Sequence, residues 1–220
     1  MFIEQPPTAF RRLYPGALWR MDTDEHTVYL TFDDGPDPVV TPWVLSLLEE
    51  YDARATFFMV GDNIRKHPET FRMVAERGHR IGNHTFNHIR GFSRAYFRST
   101  AYMANAEEAH RLMLQALADV DGALPLEPLL FRPPHGHMGW GQYYKLKQRY
   151  RIVMWDLVTR DYSRRLRPPQ VLSNVLRYAR NGSIITFHDS QKSWNNGNLQ
   201  YALTGALRFL KSEGYNFGLL

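Results

Sequence analysis

The sequence predicts an α/β fold: a single domain with about seven parallel strands, closed or nearly closed into a barrel, and helices outside it. Three observations point there. Strand-like and helix-like runs alternate almost throughout the 220 residues. A 44% hydrophobic content is enough for one large core. No Ser/Gly-rich or charge-rich linker marks a second domain. Six or seven β-α units suit a closed or nearly closed barrel better than an open sheet, although periodicity alone leaves both standing. Residues 1–26 precede the first unit and are expected to pack on the barrel as an N-terminal extension.

Taken in order, "TVYLTF" (27–32) is rich in β-formers and reads as the first strand. "TPWVLSLLEEY" (41–51) reads as a helix, with Thr41 as N-cap and Pro42 at the first helical position. "RATFFMVG" (54–61) is the second strand. "PETFRMVAERG" (68–78) opens with Pro and closes with Gly, the helix asymmetry. A short strand "HRIG" (79–82) leads into "NHTFNHIRGF". A long helix then runs from about Ser99 to Val120, its apolar face marked by Met103, Ala106, Ala109, Met113 and Ala116. "LLFRPP" (129–134), "RIVMWDL" (151–157) and "SIITFHD" (183–189) are further strands, with helices near 140–149, 168–180 and 198–212. A last strand is expected in "YNFGLL".

Composition narrows the function classes. A net charge of +5 is modest beside a dedicated nucleic-acid binder, so no nucleic-acid partner is expected. The one basic run, "RDYSRRLRPP" around Arg164, Arg165 and Arg167, reads as a solvated loop or as a contact for a phosphate or an acidic glycan. With no cysteine, disulfides and thiolate ligands are excluded. No apolar run approaches the ~20 residues of a membrane span. The N-terminus carries no signal-peptide pattern. A cytoplasmic or membrane-peripheral location is therefore expected as the sequence stands, with peripheral membrane contact allowed, and an extracytoplasmic one if it is part of a longer chain. The oligomeric state leaves no trace.

Chemistry gathers at strand ends, where α/β folds place their sites. The first strand runs straight into Asp33 and Asp34, neighbouring carboxylates that repel one another and call for a cation. Turn chemistry is the bland account of "DDGP"; a metal site is the sharper one. After the third strand, His84 and His88 stand four apart, so on a helical turn both imidazoles would share one face and grip a divalent cation. One carboxylate and two histidines leave the open coordination positions a catalytic ion needs. Arg132 leaves a buried strand and needs an anionic partner, for which the spare carboxylate of the Asp pair is the candidate. His188 ends "SIITF", and either Asp156 or Asp161 would orient its imidazole. Trp155 and Tyr162 read as core or rim packing, or as walls of an acyl pocket.

In that order, "TFDDGP", "HTFNH", "RPPHG", "WDLVTRDY" and "FHD" resemble the five motifs of the NodB-homology polysaccharide deacetylases, carbohydrate esterase family 4. The resemblance spans residues 27–189. It implies a distorted (β/α) barrel and metal-dependent removal of acetyl groups from N-acetylated, sometimes O-acetylated, sugars, with an acetylated glycan as partner. Carried over, Asp33 is the catalytic base, while Asp34, His84 and His88 hold one metal, usually zinc, with cobalt and nickel also suited to that donor set. Arg132 tethers Asp33, His188 is the catalytic acid, and the His135 N–H is the oxyanion donor. The sequence departs from the family pattern at three places: His135 for Tyr or Phe, Tyr162 for Trp, and Thr186 for Leu. The last two fall on the expected acyl pocket. Asp161 is favoured over Asp156 as the partner of His188 because it immediately precedes the aromatic. Two other readings stand beside this one: a catalytically silent glycan-binding protein, and a metal-dependent hydrolase of another bond.

Overall fold

A computed structural model gives the fold; its described residues are 4–91 and 96–220, without the side chains of 96–99. In chain order the elements are α1 (Thr8–Arg11), β1 (Thr27–Asp33), α2 (Val40–Glu50), β2 (Ala55–Met59), α3 (Gly61–Lys66), α4 (Pro68–Glu76) and β3 (Arg80–Asn83). They continue with α5 (Tyr96–Leu117), β4 (Leu130–Phe131), α6 (Trp140–Leu146), β5 (Arg151–Ile152), β6 (Leu157–Val158), α7 (Pro168–Tyr178), β7 (Ile184–His188), α8 (Gln191–Asn195), α9 (Asn198–Ser212) and β8 (Asn216–Phe217).

Seven parallel strands, in the order β5-β4-β3-β2-β1-β7-β6, form a curled half-barrel with helices packed outside. The short β8 pairs with the start of β1. The stretch 151–157, expected as one strand, is split into β5 and β6, which form the two ends of the sheet order. Between them the chain crosses the gap, bonding Val153 N–H to the Phe131 carbonyl and Asp156 N–H to that of Ile184. A single strand cannot serve both edges, which is why the expected strand breaks. Leu18 bridges the same gap through the Ile152 carbonyl and the Met154 N–H.

Because strands alternate faces, β1 and β7 build the barrel interior in layers. At the base, Tyr29 and Ile184 join Phe58, Leu130 and Val153 in an apolar plug. One step up, Thr31 and Thr186 lie side by side in register, their hydroxyls 3.2 Å apart. At the mouth, Asp33 and His188 are paired. The opposite faces of these strands, with Leu30, Phe32, Ile185 and Phe187, bury against the helices in the main core. Thr186 thus sits one layer beneath Asp33 and His188, fully buried.

Thr41 does not cap α2. The Asp37 carboxylate accepts the N–H groups of Val39 and Val40 at 2.9 Å, so the acid four residues before Thr41 takes the cap. The Thr41 hydroxyl is drawn instead to Asp189, at 2.6 Å.

Candidate active site

Asp33 ends β1 with its Oδ1 2.6 Å from Arg132 Nη1. Arg132 is wholly buried; it also donates to Thr31 Oγ1 and to the Met154 carbonyl, and its guanidinium stacks 4.2 Å from the Phe58 ring. Its shape is therefore fixed on three sides. Asp33 Oδ2 has no protein partner among the described residues.

Asp34, His84 and His88 each bring one ligand atom into a group spanning at most 4.8 Å. His88 Nε2 lies 3.1 Å from Asp34 Oδ1, and His84 Nε2 lies 3.7 Å from it. The two imidazoles do not share a helical turn. His84 follows β3 directly, and the chain reverses through left-handed residues at Thr85 (φ 67°) and His88 (φ 55°). Asn105 Oδ1 accepts the N–H groups of Phe86 and Asn87, and the Thr85 carbonyl accepts that of Gly61, so the loop is pinned from α5 and α3. Asp34 (φ 82°) and His135 (φ 58°) are left-handed as well. Backbone strain thus gathers around one point, as it does at functional sites.

His84 Nδ1 faces the Arg132 carbonyl at 2.7 Å, which makes it the protonated nitrogen and leaves Nε2 a lone pair for a cation. Burial pushes the His84 imidazole down to about 4, so it is neutral at pH 7. One residue thus serves two groups: Arg132 orients His84 through its backbone and Asp33 through its side chain. Burial alone would raise the Asp34 carboxyl, but the His88 hydrogen bond and the nearby His188 and His84 hold it well below the usual range.

On the other side, His188 Nδ1 lies 2.8 Å from Asp161 Oδ1, and its N–H donates to Asp161 Oδ2 at 2.8 Å. Burial would lower this imidazole, yet the Asp161 carboxylate, with Asp34 and Asp33, raises it to about 9. Asp156 is elsewhere: Arg11, Arg180 and Ser183 occupy both of its oxygens. The Tyr162 ring stands edge-on to His188, centroids 4.7 Å apart. The His135 N–H makes no hydrogen bond among the described residues, and its imidazole lies against that of His88, centroids 4.6 Å apart. Trp155 packs on Gly136, where a Cβ would meet the indole at 2.3 Å.

Asp189 escaped the sequence reading. Its buried carboxyl accepts Gly35 N–H at 3.1 Å and the Thr41 hydroxyl, while its own N–H donates to the Asp33 carbonyl. A Cβ on Gly35 would lie 2.1 Å from Asp189 Oδ2, so the glycine of "DDGP" makes room for this acid. The signal was available: like Asp33 and Asp34, it is an acid ending an apolar strand.

A family model described as polysaccharide deacetylase matches residues 20–148. A peptidoglycan-N-acetylglucosamine deacetylase of Bacillus cereus is 33% identical over 208 residues, covering 91% of this chain and 89% of that protein. A chitooligosaccharide deacetylase of Azorhizobium caulinodans is 33% identical over 177 residues, covering 79% of each. Other curated relatives are longer; the chain spans 65% of a second B. cereus peptidoglycan-N-acetylglucosamine deacetylase. Among solved structures, the Bc1960 peptidoglycan N-acetylglucosamine deacetylase has a TM-score of 0.78 at 27% identity, covering 98% of this chain and 95% of that one.

Proposed function

The chain belongs to the polysaccharide deacetylase family, and on that premise we propose that it hydrolyses acetyl groups from N-acetylhexosamine units of a glycan with the help of one divalent metal. One observation carries the reading. A three-ligand cluster adjoins a carboxylate held by an arginine and, paired with it across β1 and β7, an imidazole held by a carboxylate.

Asp34, His84 and His88 are the residues to hold the metal. The fit rests on the donor set, one carboxylate and two imidazoles, and on the His84 tautomer fixed by the Arg132 carbonyl. That set suits zinc, and also cobalt or nickel. When bound, such an ion lowers the pKa of a coordinated water and polarises the acetyl oxygen.

An amide has a weakly electrophilic carbonyl and a poor leaving group, so the protein must supply a base, an oxyanion donor and an acid. Asp33 is the base. With Oδ1 held by Arg132, its free Oδ2 takes a proton from the attacking water. The unpartnered His135 N–H donates to the carbonyl oxygen as negative charge develops there. His188, kept protonated by Asp161, gives a proton to the departing nitrogen, which leaves as an amine. Tyr162 and Trp155 flank this space and wall the acetyl group.

The relatives act on N-acetylglucosamine in peptidoglycan and in chitooligosaccharides, and both present the same acetamido group. The test is acetate release from N-acetylglucosamine oligomers by zinc-loaded protein. One free amine per acetate is expected. Oligomer binding without acetate would make the protein a silent glycan binder.

A further inference from the structure

The basic run after Tyr162 is not absorbed by the reaction above. The loop that follows β6 carries Asp161 and Tyr162 on the site and then exposes Arg164, Arg165 and Arg167. None of these three arginines has a carboxylate partner among the described residues. Between residues 157 and 200 the only acids are Asp161 and Asp189, and both are buried. From outside this stretch Glu4 reaches the loop, but its carboxylate is engaged by Arg160 and not by these three.

The backbone that presents them is fixed. Asn198 Nδ2 donates to the carbonyls of Asp161 and Ser163 at 2.9 and 3.0 Å, and Asn196 Nδ2 bonds the same two oxygens. The Ser163 hydroxyl accepts the N–H groups of Arg165 and Leu166. Arg167 is the N-cap residue of α7, so the positive end of that eleven-residue helix adds to the same field. Cations held on a rigid loop, starting two residues from a wall of the reacting site, meet whatever part of a glycan extends beyond it.

We propose that Arg164, Arg165 and Arg167 form an anion-binding subsite beside the cleft, and that the preferred substrate is a negatively charged acetylated glycan, bearing carboxylate or phosphate, over a neutral one. The inference rests on the deacetylase reading and deepens it.

The test compares kcat/KM for acetate release from neutral chitopentaose and from its 6-O-carboxymethyl and 6-O-phosphoryl derivatives, at low and high salt. The two derivatives distinguish the source of the charge. The wild type should favour at least one anionic oligomer at low salt and lose the preference as salt screens the contacts. Changing all three arginines to alanine should cost roughly tenfold on that oligomer and less than about twofold on the neutral one, as expected of three solvent-screened contacts. Changing all three to lysine should retain most of the preference, which separates charge from folding. Equal losses on every oligomer, or no loss on any, would overturn the subsite while leaving the deacetylase reading intact. Loss of binding to vesicles of anionic lipid with unchanged oligomer kinetics would overturn it too, because the face would then be a membrane contact. No acetate from any oligomer would sink the deacetylase reading itself.

Discussion

Asp156 and Asp161 lie five residues apart in one stretch, both fully buried, and they are put to different uses. Both oxygens of Asp156 are taken by Arg11, Arg180 and Ser183, which tie α1 and the β7 approach to the crossing between β5 and β6. Both oxygens of Asp161 are spent on His188, with a further bond from Tyr162 N–H. Asp33 makes a third case: one oxygen is locked by Arg132 and the other is open. Burial is common to all three. What a carboxylate can do is decided by which oxygens its neighbours leave free, and by whether the partner can give up a proton.

The largest expected effect falls on the open oxygen. Asp33→Asn should lower kcat by about 10²–10⁴-fold, the range for a general base, with metal content unchanged in elemental analysis. Normal turnover would remove Asp33 from the chemistry.

Asp161→Asn comes next, with a kcat loss of about 10²-fold at pH 7. An acid works only while protonated, so activity should fall as pH rises through the His188 pKa, raised here to about 9. A bound dication opposes that rise, which places the alkaline limb at or below pH 9. Removing the carboxylate should move the limb to still lower pH, whereas Asp156→Asn should leave it in place. An unmoved limb in Asp161→Asn would break the distinction between the two acids.

His188→Ala sharpens the same side of the site. The loss on an amide should exceed that on an acetyl ester by roughly tenfold, because an alkoxide leaves with less help from an acid than an amine does. Paired rates on matched substrates measure this, and equal losses would contradict the proton-donor role.

The smallest catalytic effect is expected at Asp156. Asp156→Asn should keep kcat/KM within about twofold. Stability should drop by about 2 kcal/mol, below the 3–5 kcal/mol of fully buried pairs because Arg11 and Arg180 reach solvent, which is roughly 4–8 °C in Tm. Burial alone would raise the Asp156 carboxyl, but the bonds from Arg180, Arg11 and Ser183 hold it below its usual value. Its contribution is therefore present above the ordinary carboxylate pKa and is lost in acid, so the deficit of the variant should shrink below about pH 4.

Much of this was legible beforehand because local conflict is visible in a sequence. Two acids at the end of an apolar strand, or an arginine leaving one, demand partners wherever the chain goes. The pairing of Asp33 with Arg132 agrees with that reading, whereas Asp161 is singled out from Asp156 only by its place before the aromatic in the family motif. The His84–His88 geometry was not legible. Spacing of four suggests a helical turn, but Asn83, Asn105 and the left-handed Thr85 and His88 make a loop that no periodicity marks. The break within 151–157 was hidden for a similar reason: an unbroken β-rich run says nothing about which two sheet edges it must serve. Thr41 misled because the nearby Asp37 takes the cap while Asp189 draws the Thr41 hydroxyl, and that second, long-range contact is one local capping rules do not see.

The most direct measurement is calorimetric titration of zinc into metal-stripped wild type, Asp33→Asn and His84→Ala. One site per chain is predicted in the first two proteins and none in the third. Zinc bound equally well by His84→Ala, or lost from Asp33→Asn, would contradict a centre built from Asp34, His84 and His88 with Asp33 kept free of the ion.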